Sequence, residues 1–478
     1  MHPDRSSRRW WALGLLSVAQ FLVILDTSIV GVALPKIDAA LGFSGSSLQW
    51  VFNAYVIAFG GLLLLGGRLA DLLGARRVFV SGFIVLTGAS LLAGLANSQQ
   101  ILIIGRALQG AGAALIAPAA MALVLGLFTE PSERGKAMGL WGASAPAGGT
   151  AGVFLGGVIT QWISWRWTFL INVPFALVVL ALVPSLLPKM PRVRGKVDFA
   201  GAGAITASIS LTVYALVDAN SAGWLSFHTT GVLAMAAALL IGFVYIEKHA
   251  RDPLMRLALL RSPNLAAAGV TVALLGAAWI PLWFFLNLYL QRVLGYGAFA
   301  SGAALLPITL TVLVVMVGFI SRLIPKFGPK PLMVIGLAIL GGATMLFSRS
   351  PVGGSFTVDV LGASVLAGVG ISLTYIPALM TALAASKPEE AGVTSGLVST
   401  SYQVGSAIGL AVMTAIATSA SGTNVSLESL NHGYHAAFLG AALMAFLAAA
   451  SALLFIRRDG TFSTDEAPKA AKPALQAV

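Results

Sequence analysis

Of the 17 acidic residues in this chain, Asp26 alone lies well inside an apolar segment; the others fall at segment ends or in connecting stretches. An ionised side chain at bilayer depth costs at least ~2.5–3.5 kcal/mol on insertion scales, and groups that persist there mostly bind protons or cations. Asp26 is therefore the first candidate for chemistry. Arg106 is its basic counterpart, the one Lys or Arg placed within a span. Two readings of each charge are open. Asp26 can exchange protons or cations, or it can be a structural acid held by hydrogen bonds or by Arg106. Arg106 can pair with an acid or snorkel to the outer interface.

Both charges need helices to hold them. The chain of 478 residues is 58% hydrophobic and 10% charged, which excludes an ordinary soluble domain. A spanning helix needs roughly 20 apolar residues. Such runs recur about fourteen times, near 11–33, 47–67, 78–96, 101–125, 137–160, 167–187, 199–217, 228–246, 265–290, 299–321, 331–347, 359–383, 392–418 and 435–456. Alternating strands of barrel length are absent. The expected fold class is an all-α membrane protein with 14 transmembrane helices. At about 1.5 Å per residue Asp26 lies ~22 Å above Trp11, in the outer half of the bilayer.

The net charge of +12 is distributed by side. With the N-terminus inside, every Lys and Arg except Lys36, Arg106, Arg166, Arg292 and Arg349 falls on inner loops or tails. That asymmetry predicts a multi-pass protein of the cell (cytoplasmic) membrane with both termini cytoplasmic. It makes the basic balance a topology signal and argues against nucleic acid. The start, Arg8-Arg9-Trp10-Trp11 and a long apolar run, reads as a retained first span. There are no cysteines, hence no disulfides and no thiolate metal site.

Two stretches repeat. Arg68-Leu69-Ala70-Asp71-Leu72-Leu73-Gly74-Ala75-Arg76 after span 2 aligns with Arg322-Leu323-Ile324-Pro325-Lys326-Phe327-Gly328-Pro329-Lys330 after span 10. Gln109-Gly110-Ala111-Gly112, leading to Pro118 in span 4, is echoed by Gly368-Val369-Gly370, leading to Pro377 in span 12. Spans 2 and 4 thus match spans 10 and 12, with spans 7 and 8 between the copies. The division expected is a cytoplasmic N-terminus at 1–10, a six-helix half over 11–190, two linking helices over 191–260, a second six-helix half over 261–457 and a disordered cytoplasmic tail at 458–478. Repeated halves mark alternating-access transporters.

At this point the motifs resemble the major facilitator superfamily, specifically its fourteen-span drug:proton antiporter branch. Leu25-Asp26-Thr27-Ser28-Ile29-Val30-Gly31-Val32-Ala33-Leu34-Pro35 resembles the signature of that branch. The resemblance implies proton or cationic-substrate binding at Asp26. Gly67-Arg68-Leu69-Ala70-Asp71-Leu72-Leu73-Gly74-Ala75-Arg76-Arg77 resembles the superfamily's loop signature, which implies a conformational latch built on Gly67, Arg68, Asp71, Gly74, Arg76 and Arg77. The second copy has Pro325 in place of Asp71, so an intact latch is expected in the first half alone. Gly105-Arg106-Ala107-Leu108-Gln109-Gly110-Ala111-Gly112-Ala113 resembles the family's Arg-plus-Gly span and implies proton transfer or charge pairing at Arg106. In span 5, Gly148, Gly152, Gly156 and Gly157 resemble the antiporter signature. Val153 stands where that signature carries proline, and Pro146 is a candidate for a kink elsewhere. Leu48-Gln49-Trp50-Val51-Phe52-Asn53-Ala54-Tyr55 and Trp165-Arg166-Trp167-Thr168-Phe169-Leu170-Ile171-Asn172-Val173-Pro174 look typical of the same branch.

Candidate pocket residues are Asn53, Trp279, Trp283, Asn287, Tyr375, Tyr402 and Gln403. Trp279, Trp283 and Asn287 sit where an interfacial aromatic belt is also expected. No P-loop, HExxH or GxSxG is present, and the five His show no metal-ligand spacing, so no enzyme, cofactor or metal is expected. The expected function is proton-coupled export of hydrophobic, cationic or amphiphilic drugs by alternating access. The expected partners are a drug-like small molecule, protons and the lipid bilayer, for a monomeric protein. Two alternatives stand beside it: export of one specific metabolite or self-made antibiotic on the same fold, and a membrane interaction protein without transport.

Overall fold

All fourteen predicted segments form helices. In the computed structural model, residues 5–43, 50–188, 198–250, 262–386, 391–422 and 426–457 are described. The tail at 458–478, the stretches 189–197, 251–261 and 387–390, and Leu48 and Gln49 lie outside the described residues. The helices are α1 (Arg5–Leu41), α2 (Trp50–Leu69), α3 (Ala75–Gly94), α4 (Gln99–Leu127), α5 (Pro131–Trp162), α6 (Asn172–Leu186), α7 (Phe199–Ala222), α8 (Phe227–His249), α9 (Pro263–Leu288), α10 (Leu306–Gly318), α11 (Pro329–Phe347), α12 (Leu361–Ala384), α13 (Ala391–Ser421) and α14 (Leu427–Phe455). Short helices precede α6 (Trp167–Leu170) and flank α10 (Ala298–Ala304 and Ile320–Phe327). Among the described residues eleven stretches are long and apolar enough to cross a membrane; one of them, Trp50–Gly94, runs through both α2 and α3.

The apolar runs become helices because a helix satisfies every backbone group within its own segment, which hydrocarbon demands. Polar residues set the ends. Ser98, Asp198, Ser226 and Ser426 accept hydrogen bonds from the first turns of α4, α7, α8 and α14, and Pro131, Pro263 and Pro329 occupy first turns where no amide is needed. Pro146 breaks nothing: α5 is one helix through it.

Glycines fix how the helices meet. Added Cβ atoms at Gly110 and Gly112 of α4 would strike the backbones of α2 (Tyr55 O at 2.3 Å) and α3 (Leu86 N at 2.8 Å). Gly368 and Gly370 of α12 do the same to α10 (Ile308 O at 2.9 Å) and α11 (Gly336 O at 2.7 Å). The repeated glycines thus make the same pair of close approaches in both copies. Gly66 meets Ala114 while Gly110 meets Tyr55, so α2 and α4 run parallel; Gly82 meets Gly112 while Gly105 meets Ala93, so α3 runs against α4. The chain therefore reverses between α2 and α3. It does so through a single π-helical turn, Ala70–Gly74, ending at Gly74 with φ 93°. The aligned Gly328, at the end of Ile320–Phe327, has φ 76°. Only glycine takes such values without strain, which explains why both copies keep it.

Helices α1–α6 pack as one bundle and α9–α14 as another. They meet along two seams. At one, α5 faces α10, with Gly139 against the Met316 carbonyl at 2.3 Å from a built Cβ and Thr150 hydrogen-bonded to Thr309. At the other, α2 faces α13, with Gly60 opposite Gln403 and Gly396 opposite Leu63. Helix α7 lies over this second seam, touching α2 and α13, and α8 packs on α7.

Candidate functional site

The polar centre is built by five helices around Asp26. Helix α1 carries the carboxylate, α4 carries Arg106 and Gln109 one turn apart on one face, α3 carries Ser90, α6 carries Asn172, and α2 supplies the Val51 carbonyl and Tyr55. Arg106 donates from Nη1 to Asp26 Oδ2 at 2.8 Å and to Gln109 Oε1 at 3.0 Å, and from Nε to the Val51 carbonyl at 2.8 Å. Gln109 Nε2 donates to Asp26 Oδ1 at 2.9 Å and to Ser90 Oγ at 2.8 Å, and Asn172 Nδ2 also donates to Asp26 Oδ1. The guanidinium lies over the Tyr55 ring, 4.5 Å from its centroid, and faces Phe169 at 5.9 Å. Tyr55 donates its hydroxyl to the Val23 carbonyl on α1.

Asp26, Arg106 and Gln109 have no accessible surface. Burying one charge alone would cost several kcal/mol; two opposite charges with their remaining lone pairs and protons satisfied can be held there. Two atoms stay unsatisfied, Arg106 Nη2 and Asn172 Oδ1. Arg106 does not snorkel, so of its two sequence readings the paired one is what the geometry realises. Gln109, Asn172, Ser90 and Tyr55 were not singled out as site residues. One signal could have found Gln109, its spacing of three from Arg106. The others are uncharged and come from separate spans.

The antiporter-type glycines position α1. Built Cβ atoms at Gly148, Gly152 and Gly156 would meet Phe21 O at 2.5 Å, Ser28 Cβ at 2.7 Å and Ile29 O at 2.7 Å, so α5 grips α1 on both sides of Asp26. Gly157 is buried in the same helix. The N-terminal stretch of α5 touches the other bundle, with Gly142 against Ile376 of α12. One helix thus contacts both the carboxylate's helix and the facing bundle.

Of the latch residues, Gly67 and Arg68 end α2 as ordinary helix, Asp71 is half-buried in the π-turn, Gly74 makes the reversal, and Arg76 and the exposed Arg77 open α3. The π-turn packs against α13 of the second bundle, while Ile320–Phe327 packs against α5 of the first.

The candidate pocket residues are spread over four helices, α2, α9, α12 and α13. Asn287 accepts hydrogen bonds from Gln291 and Ser301 at the C-terminal end of α9, and Trp279 and Trp283 make an edge-on pair with centroids 6.0 Å apart. Tyr375 and Tyr402 meet edge-on, 5.9 Å between centroids. Gln403 faces Gly60 on α2, and Asn53 lies two turns further along the same stripe of α2.

Comparisons with known proteins agree with this architecture. A family model described as Major Facilitator Superfamily matches residues 16–410 and 319–477. The chain is 37% identical to the puromycin resistance protein pur8 of Streptomyces alboniger, over 95% of this chain and 92% of that one. It is 39% identical to the cephamycin export protein CmcT of Amycolatopsis lactamdurans, over 92% and 91%. The crystal structure of the human organic anion transporter MFSD10 (TETRAN) superposes with a TM-score of 0.64, at 17% identity, covering 94% of this chain and all of that one.

Proposed function

The chain belongs to the major facilitator superfamily, and we propose that it is a proton-coupled secondary transporter exporting drug-like small molecules from the cell by alternating access. It is a multi-pass membrane transport protein, not an enzyme. The observation that carries the coupling is the sealed carboxylate: Asp26, ion-paired to Arg106 and given two amide donors, in the helix that α5 grips. Two six-span halves, 11–190 and 261–457, rock about the α2–α13 and α5–α10 seams, with both termini cytoplasmic by the positive-inside rule.

The chemistry follows from the donors. A carboxylate accepts from all three neighbours. A proton arriving on Asp26 cancels the ion pair and places an O–H where N–H groups now point, so one donor must turn away. Asn172 is built for that turn. Its Oδ1 has no partner, and rotating the amide by half a turn offers this oxygen to the new hydroxyl. Loss of the ion pair releases α1 from α4, and α5 passes the shift across the seam through Gly139 and Gly142. The latch at Asp71 and Gly74 then holds or frees the inner ends. A single proton is carried per cycle, and the protein works as a monomer.

The test is cargo-dependent proton flux in proteoliposomes, with wild type beside Asp26→Asn. Cargo should release protons into the lumen or take them up only with Asp26 intact. Full proton-coupled flux in Asp26→Asn would end this mechanism. A narrower reading, export of one metabolite or self-made antibiotic, is favoured by relatives named for single compounds, puromycin and cephamycin. A competition panel separates the two: one inhibitor among many unrelated compounds supports the narrow exporter.

A further inference from the structure

Sequence left the cargo's charge open between cationic and amphiphilic. Within the two bundles, Asp26 and Arg106 are the buried charged side chains among the described residues, and each neutralises the other. The other buried acid, Glu247, sits at the end of α8 beside Gly201 of α7, outside both bundles. Asp26 has no accessible surface and no carboxylate oxygen left without a donor. A cationic cargo would therefore enter the interior without a counter-ion, and aromatic faces recover only part of the hydration such an ion loses.

The aromatic pair lies elsewhere. Tyr375 on α12 and Tyr402 on α13 are half-buried and meet edge-on where the two helices pack. Uncharged hydrogen-bonding groups without partners are buried on α13 itself and on α5 and α2, which touch α12 and α13 respectively. Trp141 Nε1 is buried on α5, next to Gly142, which touches Ile376 beside Tyr375. Thr400 Oγ1 is buried one turn from Gln403 on α13, and Asn53 Nδ2 is buried on the stripe of α2 that Gln403 faces. These groups come from both bundles and lie on helices that form the two seams.

Resting on the proton-exchange reading above, we propose that the cargo is an uncharged, aromatic-bearing molecule with hydrogen-bonding groups, held at Tyr375 and Tyr402 away from Asp26. The transport cycle is then electrogenic. One proton enters through Asp26 while a neutral molecule leaves, so one positive charge moves inward per turnover. A potential of about 100 mV alone then sustains a cargo gradient of about fifty-fold. A monovalent cation exchanged for one proton would move no net charge.

The experiment uses the purified full chain in proteoliposomes, with acridine and its permanently charged analogue N-methylacridinium at alkaline pH, where acridine is uncharged. Binding is read by dye fluorescence, and charge movement by current on a solid-supported membrane under an imposed pH gradient. Acridine should bind at least about ten-fold more tightly than the cation, and its addition should evoke current of the sign of inward positive charge. The double variant Tyr375→Leu/Tyr402→Leu should lose that preference, while Tyr402→Phe, which keeps the ring, should retain most of it. Tighter binding of the cation, binding of neither dye, or pH-driven exchange without current overturns the proposal. A neutral preference with flux indifferent to the pH gradient would instead sink the proton-exchange reading and leave the cargo assignment standing.

Discussion

Adding one methyl group at Gly148 should uncouple proton from cargo. The new Cβ would lie 2.5 Å from the Phe21 carbonyl oxygen and 3.2 Å from the Leu25 amide nitrogen. Both are backbone atoms and cannot rotate aside. Restoring ordinary contact at 3.4 Å requires α1 and α5 to part by about 0.9 Å. Asp26 follows Leu25 directly, and its bonds to Arg106 and Gln109, 2.8 and 2.9 Å, tolerate shifts of only tenths of an ångström. Overpacking of this kind costs ~1–3 kcal/mol. If that strain opposes assembly of the ion pair, coupled flux falls roughly 5- to 150-fold. Gly149→Ala is the control. Its Cβ would meet Ser28 Oγ at 3.8 Å and Ile24 Cγ2 at 3.9 Å, which is ordinary contact, so wild-type flux is expected. The assay is cargo-triggered proton movement in proteoliposomes, normalised to protein that melts cooperatively. Wild-type flux in Gly148→Ala, or an equal loss in Gly149→Ala, would refute the argument.

Arg106→Leu strands a buried carboxylate and should cost ~3–5 kcal/mol of stability, most of it recovered by adding Asp26→Asn; melting of the purified variants measures both, and no recovery in the double variant would count against the ion pair as the cause. Asn172→Leu removes one donor and the amide assigned to turn, so proton exchange should slow by about ten-fold while the protein still binds dye. Exchange at the wild-type rate would dismiss the amide. Gly74→Ala forces a side chain onto φ 93° and should lower stability by ~1–2 kcal/mol, as should Gly328→Ala at φ 76°. Gly88→Ala, whose Cβ would meet nothing within 4 Å on an exposed helical face, should be neutral or slightly stabilising, and the three melting curves compare these directly.

Much of this was legible in the sequence because a bilayer leaves few choices. Apolar runs of spanning length must be helices, and each predicted segment is one. Asp26 stood out because a lone charge in such a run needs a reason. Its pairing with Arg106 was one of two open readings, since 80 residues separate them and nothing in spacing says which helices touch. Ser90, and the contact of Asn172 with Asp26, were invisible for a related reason: an uncharged polar side chain in a span carries little cost and so little signal. The two glycine repeats were readable as repeats, but not their use. Only the structure shows that Gly110 and Gly112 each admit a different neighbouring helix, as Gly368 and Gly370 do. The π-turns at Ala70–Gly74, Tyr289–Val293 and Phe356–Val360 leave no mark in composition. Pro146 lies within α5, which continues through it as one helix, while the reversal between α2 and α3 rests on Gly74.

The hairpin α7–α8 gives the molecule two unlike edges. Along α2 and α13 the seam is roofed by the chain itself, with Ser210 and Thr206 of α7 set against Gly61 and Trp50 stacked on Tyr214. Along α5 and α10 the neighbouring surface of Leu310, Leu313 and Val314 is bare. A bilayer that thickens, stiffens or changes its acyl chains therefore presses directly on one edge and reaches the other through a protein cushion. Such a machine would feel its solvent from one side, and its turnover in membranes of graded thickness would follow substitutions on the α10 face more closely than substitutions on the outer face of α8.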